Sequence, residues 1–569
     1  MLSTATIHDD RTPNGEQAKA LGAFYTNEQV ADFLAWWAIR SKTDTVMDPS
    51  FGGGVFLSAA LRRIQRFEGN PRTSVYGVEL DQDVYTRTAE KFVEEHSLNR
   101  EHLICDDFFN VDAKITGKVS AIIGNPPFIR YQRFTEEGRR HAFARAKSRG
   151  VELPKLSSSW ALFLVHSISM LQPGGRLAMV LPMEVAHAKY ARPVLEHLRQ
   201  SFKSTTFLTF RSKLFEDLSE DTVLILADGN ENGPGSFQLR DFAHPSLLAN
   251  VASCGRFRVA GSQAVNADAI ANGHSRLIEY LLPRKARELY CELKASRRTS
   301  RLGELADVGI GYVTGANDFF HLTPDEARKR SIPDEFLKPV VRRGRALVGL
   351  KFTQSDWNIA ANDGEAGFLL HIKKGQPLPP SVEEYLKIGR ENGVADTYKC
   401  RTRSPWYSVP HVHRPDAFLS YMSGLSPYLV ANQANAYAPN SLHVLRIHPM
   451  TFLTAESVAA LWHTSLTRLS VEIEGHPLGG GMLKLEPTEA ENVRVPYPDD
   501  SDLILLDSIA DELDEMSRKN GHAAAVARAD EQLLCKMIGL SQSDCKLLNS
   551  AAEQLRARRG YGSPLNELA

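Results

Sequence analysis

Within the first 240 residues, short apolar runs recur within 45–48, 75–81, 103–109 and 121–128, and each is followed there by an acid or a glycine. Such runs mark buried parallel strands, and the longer stretches between them suit crossover helices. Residues 158–163 open an apolar helix, 171–182 are a turn feeding a strand, and the polar, glycine-rich segment 229–235 separates two late strands. The pattern predicts an α/β domain with a mostly parallel sheet over residues 1–240. From about 250 to 500 the alternation is lost and an α+β domain is expected, with glycine-rich segments at 308–320 and 475–487 and a loop and helix start at 333–338. From 501 to 569 the apolar spacing and alanine content predict a helical C-terminal region. There is no internal repeat.

The ends of the four early strands carry the chemistry. Asp48-Pro49-Ser50-Phe51-Gly52-Gly53-Gly54 reads as a strand end and a glycine turn that admits close backbone approach to a ligand. Glu79 follows about 25 residues after Gly54, close to the spacing at which nucleotide-binding folds set a carboxylate on ribose hydroxyls. Asp107 is followed by the aromatic Phe108. The fourth end, Asn125-Pro126-Pro127-Phe128, is the most specific. Asn125 offers a side-chain carbonyl and Pro126, which has no N–H, still offers its backbone carbonyl, so both hydrogens of a planar amine can be accepted. Phe128 can stack on the ring bearing that amine. Held in this way, the nitrogen lone pair lies out of the ring plane, where it can attack a methyl group. A plain turn after a strand is the other reading of the tetrapeptide alone.

Composition narrows the class. A chain of 569 residues suggests roughly three or four domains. No signal segment and no apolar run of about 18 residues is present, so neither secretion nor a membrane partner is expected. The six cysteines are scattered without a CxxC pair, which indicates neither a metal site nor a disulfide framework and fits a reducing cytoplasmic compartment. His411 and His413, near Arg414, suit a surface loop.

In this order, the motifs resemble those of the gamma-class N6-adenine-specific DNA methyltransferases of type II restriction–modification systems. The resemblance implies a Rossmann-like class I methyltransferase domain over 1–240, a target-recognition domain over 250–500 and a helical region over 501–569. It implies S-adenosyl-L-methionine as cofactor, double-stranded DNA as partner, and a possible separate cognate restriction endonuclease. Residues 22–31 resemble the family's N-terminal cofactor segment, so Tyr25 and Thr26 are expected at the cofactor, with Asp48, Pro49, Ser50, Gly52 and Gly54 around its methionine part. Glu79 and Leu80 match the ribose position, and Asp107 with Phe108 the adenine pocket. Asp106 competes for that role, but the family's aromatic directly follows its acid. Asn125, Pro126, Pro127 and Phe128 match the catalytic tip. Tyr190, placed in a helix running to Leu195, is the candidate for a second aromatic stacked on an extruded base, with a partly buried structural tyrosine as its other reading. The segments at 308–320 and 475–487 resemble parts of target-recognition domains, although ordinary turns account for them too.

The net charge of −1 is unusual for a protein that grips phosphates, so distribution matters more than total. Arg139, Arg140, Arg145, Lys147 and Arg149 follow the tip, Arg284, Lys285, Lys294, Arg297, Arg298 and Arg301 form a second group, and Arg342, Arg343 and Arg345 a third. A basic channel from these groups on a neutral protein is expected, with Arg140, Arg342, Arg343 and Arg345 as DNA contacts. A protein-glutamine or RNA guanine methyltransferase shares the tip motif but does not explain an extension of over 300 residues. A restriction enzyme with a fused nuclease would need an acid–acid–lysine domain, for which no room is expected before Gly22, and 333–338 lacks the spacing. A specificity subunit without activity does not fit the complete set.

Overall fold

The computed structural model describes residues 27–128, 136–155, 157–215, 221–231, 233–255, 257–499 and 502–560. The chain divides into two compact units, 1–281 and 282–569. The first is built on a nine-stranded sheet of β1 (Val46–Asp48), β2 (Val75–Glu79), β3 (Leu103–Cys105), β4 (Val119–Gly124), β5 (Leu171–Pro182), β6 (Phe202–Phe210), β7 (Thr222–Asn230), β8 (Ser236–Phe242) and β9 (Gln263–Val265), in the spatial order 3-2-1-4-5-7-6-8-9. The first five positions are mutually parallel, and β7 runs antiparallel between β5 and β6. This is the Rossmann-like class I methyltransferase arrangement.

The strands are short and apolar because both faces are covered. Val46, Ala121, Ile123, Ala178 and Val180 join one core with residues of α1 (Glu28–Ala38) and α2 (Val55–Arg66). Their alternates Met47, Ile122, Leu177 and Met179 are buried too, as the two-residue period of a strand requires when both faces are dry. Helix α3 (Gln82–His96) is capped by Asp81, whose carboxylate accepts from the N–H groups of Asp83 and Val84. After α4 (Glu136–Ser148) comes α5 (Ser159–Met170), apolar on every side and buried at every residue except Ser169. Helix α6 (Arg192–Ser201) packs beside it. The chain moves outward from β1 to β2 and β3, then returns to lay β4 on the opposite side of β1. The crevice at the carboxyl ends of β1 and β4 is therefore the switch point at which open α/β sheets bind ligands.

The second unit is α+β. A five-stranded sheet takes the order Ala306–Ile310, His443–Ile447, Ala417–Leu419, Leu429–Asn432, Lys351–Phe352, and a three-stranded sheet the order His321–Leu322, Ala366–Leu370, Leu337–Val341. Residues 333–338, read from sequence as a loop and helix start, form a single 3-10 turn, Asp334–Phe336, that leads into a strand. Gly311 lies against the carbonyls of Ala438 and Pro439, where a Cβ would sit within 2.3 Å of both oxygens. Gly480 and Gly481, both at positive φ, turn a hairpin between His476–Pro477 and Leu483–Lys484. The C-terminal region is helical, with Leu503–Asn520, His522–Ala529 and Gln542–Arg558. No helix among the described residues is long and apolar enough to cross a membrane.

Gly54 caps α2 in the left-handed region at φ 80°, and a Cβ there would stand 2.4 Å from the Phe92 ring. Gly54→Ala should lower stability by about 2 kcal/mol through strain and overpacking. Thermal denaturation checks this, and a wild-type melting temperature would contradict it.

Candidate functional site

Asp48 ends β1 with 1 % of its surface exposed. One carboxylate oxygen accepts from the Ser50 N–H at 3.1 Å, and the other, Oδ2, is buried without a hydrogen-bond partner. Gly124, at the end of β4, makes room for it, since a Cβ there would lie 2.9 Å from Asp48 Oδ1. The absence of that side chain brings the aspartate beside the backbone that carries Asn125. Burial pushes the Asp48 carboxyl up to about 8, the Ser50 bond opposing and the neighbouring Glu79 adding to the shift.

Glu79, at the end of β2, accepts from the Gly52 N–H and the Asp81 N–H, each at 2.9 Å, and so ties the glycine turn to the second strand. Two of its lone-pair sites remain for a ligand. Its pKa is raised, first by burial. The turn is fastened again where the Thr88 hydroxyl donates to the Gly52 carbonyl at 2.9 Å. Leu80, next to Glu79, is 60 % exposed, an apolar surface beside that acid.

Beyond β3, Asp107 caps a 3-10 turn through the Phe109 N–H at 3.0 Å and is also raised, mainly by burial. Asp106 is exposed, and accepts from the Asp107 N–H at 2.7 Å and the Asn110 amide at 2.9 Å. The Phe108 ring is buried against Phe163 and His166, at 5.4 and 4.6 Å between centroids. That leaves Phe108 its backbone, not its ring, to offer a ligand. His166 is driven down to about 4, chiefly by burial.

At the fourth strand end, Asn125 is half-buried, Pro126 buried, and Phe128 packs partly against the sheet core. The Ser159 hydroxyl donates to the Pro127 carbonyl. Tyr190 sits in a 3-10 turn, Lys189–Ala191, that runs directly into α6 and its Leu195. The Tyr190 hydroxyl accepts from the Trp160 indole N–H at 3.0 Å, and its pKa is raised, first by burial and then by Glu184. Tyr25 and Thr26 lie outside the described residues. Asp48, Pro49, Ser50, Gly52, Gly54, Glu79, Leu80, Asp107 and the tip thus share one sheet edge. Sequence reasoning did not find the bond from Ser159 to Pro127; its one signal was the serine run 157–159 opening an apolar helix.

The basic groups are less free than their sequence suggests. Arg343 lies 3.6 Å from Glu365, Arg345 also pairs with it, and the Arg342 N–H donates to the Glu365 carbonyl at 2.7 Å. Glu365 is 8 % exposed, and these arginines, Arg345 foremost, hold its carboxyl below the usual range. Arg284 pairs with Glu288, Arg298 with Asp499 and Arg301 with Glu304. Arg140 is exposed on α4.

Residues 13–232 match the N-6 DNA Methylase family and residues 274–534 the C-terminal domain of type II methyltransferase M.Eco57I. The chain is 22 % identical to type II methyltransferase M.AccI of Acinetobacter calcoaceticus, over 83 % of this chain and 85 % of that one. It is also 22 % identical to type II methyltransferase M.XamI of Xanthomonas campestris pv. amaranthicola, over 85 % and 86 %. The type IIL restriction-modification enzyme MmeI, solved in complex with DNA, shares the fold with a TM-score of 0.57 at 11 % identity, over 96 % of this chain and 80 % of that one. These matches support an N6-adenine DNA methyltransferase similar to the type II modification enzymes of restriction–modification systems.

The raised Asp48 pKa makes stability depend on pH. Between the ordinary carboxylate range near 4 and about 8, the folded protein keeps a proton that the unfolded chain has released. Its contribution is full below that window and is lost as pH rises toward 8. Asp48→Asn, neutral throughout, should raise the melting temperature of the ligand-free protein by several degrees more at pH 8 than at pH 5. Equal changes at the two pH values would contradict the assignment.

Proposed function

We propose that the Asn125-Pro126-Pro127-Phe128 tip carries methyl transfer from S-adenosylmethionine to N6 of an adenine turned out of duplex DNA. The observation that carries this reading is the meeting of that tip with the buried Asp48 at the switch point of the sheet, with Gly124 giving the carboxylate its place beside the strand end. The residues present fit the cofactor. The Asp48 oxygen without a partner suits a cationic group, Glu79 keeps lone pairs for ribose hydroxyls, and exposed Leu80 and the Asp107 carboxylate suit an adenine. When bound, S-adenosylmethionine supplies a methyl group already activated by its sulfonium.

The protein's part is orientation. The Asn125 side-chain carbonyl and the Pro126 carbonyl accept the two amine hydrogens, Phe128 stacks on the base, and fixed acceptors stabilise the developing charge on nitrogen. The base must leave the stack because N6 is out of reach inside the duplex. The motif order is that of the gamma class, with Tyr25 and Thr26 at the cofactor's methionine end. Residues 1–281, which share the nine-stranded sheet, act as the catalytic unit, those from 282 to 500 read the target, and 501–569 cap the reader or offer a partner surface. Such an enzyme works in the cytoplasm, where host DNA lies, beside a separate restriction endonuclease of the same specificity.

Purified protein should transfer labelled methyl to N6 of adenine in duplex DNA, and Asn125→Ala should lower turnover about 100-fold or more. Label found only in protein or RNA would overturn the reading. Phosphate contact by Arg342, Arg343 and Arg345 is tested by replacing all three with alanine together with Glu365→Gln, which avoids stranding a buried carboxylate. The log–log salt slope of DNA binding should fall by about 2 to 3. An unchanged slope would place these arginines away from DNA.

A further inference from the structure

Pro126 and Pro127 have no N–H, so the centre of the tip offers only carbonyl acceptors for its support. Its support comes from the first residues of α5. The Ser159 hydroxyl, buried to 0 % exposure, donates to the Pro127 carbonyl. The residue that follows Ser159 engages a phenol: the Trp160 indole N–H donates to the Tyr190 oxygen at 3.0 Å and to Glu184 Oε2 at 3.1 Å. Glu184 thus shares the Trp160 N–H with Tyr190, and burial with the nearby Glu184 charge keeps the phenol protonated. The Tyr190 and Trp160 rings are tilted at 39° with centroids 5.9 Å apart, and Trp160 is fully buried.

An aromatic whose task is to stack on a base needs its ring and has no use for a buried bond to its oxygen. An anchor needs that bond. We infer that Tyr190 is a positioning residue, whose hydroxyl holds Trp160 so that the adjoining Ser159 keeps the Pro127 carbonyl, and with it the Phe128 peptide, in the orientation the reaction requires. Tyr190 and Ser159 are then successive parts of one support, and either one alone is without effect on the tip. The inference rests on the reading of residues 125–128 as the catalytic tip.

The test is turnover of labelled S-adenosylmethionine at saturation on unmethylated genomic DNA from a host lacking this gene, for Tyr190→Phe, Ser159→Ala, the double variant and Asn125→Ala. Each of the two single variants should lose about tenfold in kcat, as expected for one buried hydrogen bond withdrawn from the transition state. KM for DNA should change by less than about twofold, since the aromatic ring is kept. The double variant should be no slower than the slower single one, because the two act in series. Cofactor affinity, measured by calorimetry, should be that of the wild type in both single variants. Wild-type kcat in Tyr190→Phe, the outcome of a stacking role, would overturn the proposal. So would multiplicative losses in the double variant, or a fall in cofactor affinity parallel to kcat. Full activity of Asn125→Ala would instead remove the reading of the tip itself.

Discussion

Burial of Asp48 is the constraint on which the site depends. A carboxylate withdrawn from water must find a cation or hydrogen-bond donors, or else take up a proton. Asp48 has one backbone donor, the Ser50 N–H, and a second oxygen with none, and the groups that act on it are that N–H and another carboxylate, Glu79. The result is a carboxyl raised to about 8, protonated near neutrality, at the point where the glycine turn, Glu79 and Asn125 converge. Glu79 and Asp107 are raised in the same direction. Three acids that are all costly to ionise suit a ligand that brings positive charge and hydroxyl or amine donors.

The sheet explains why these acids meet. Because the chain reverses its order at β1, the ends of β1 and β4 flank an open crevice, and β2 and β3 bring Glu79 and Asp107 to the same edge. Parallel strands buried on both faces leave polar side chains only at their ends, so the chemistry gathers there. The glycines serve this geometry at particular places. Gly54 turns the chain into α2, and Gly124 gives up its Cβ volume to the aspartate.

Much of this was legible in the sequence, because the early strands end on the candidate site residues and a strand end is a local signal. The residues from Asp48 to Phe128 could therefore be put on one edge from spacing alone. What was not legible depends on distant pairing. The 3-10 turn of Tyr190 runs into the expected helix, but its bond to Trp160, thirty positions back in the chain, left no local signal. The basic groups at 284–301 and 342–345 read as free charge, yet Glu288, Glu304, Asp499 and Glu365 neutralise part of each. Residues 333–338 read as a helix start, and pairing with the strand Ala366–Leu370 draws the chain into a sheet instead. Local pattern fixes where an element can begin, and long-range partners decide what it becomes.

If Asp48 waits as a neutral acid for a cationic ligand, binding must ionise it. Calorimetry of S-adenosylmethionine binding at pH 7, in buffers of different ionisation enthalpy, counts the protons exchanged. The account predicts release of about one proton per cofactor by the wild type, from a carboxyl that starts near 8 and falls once the cation is in place, and none by Asp48→Asn. Binding without proton release, or the same release from both proteins, would contradict it.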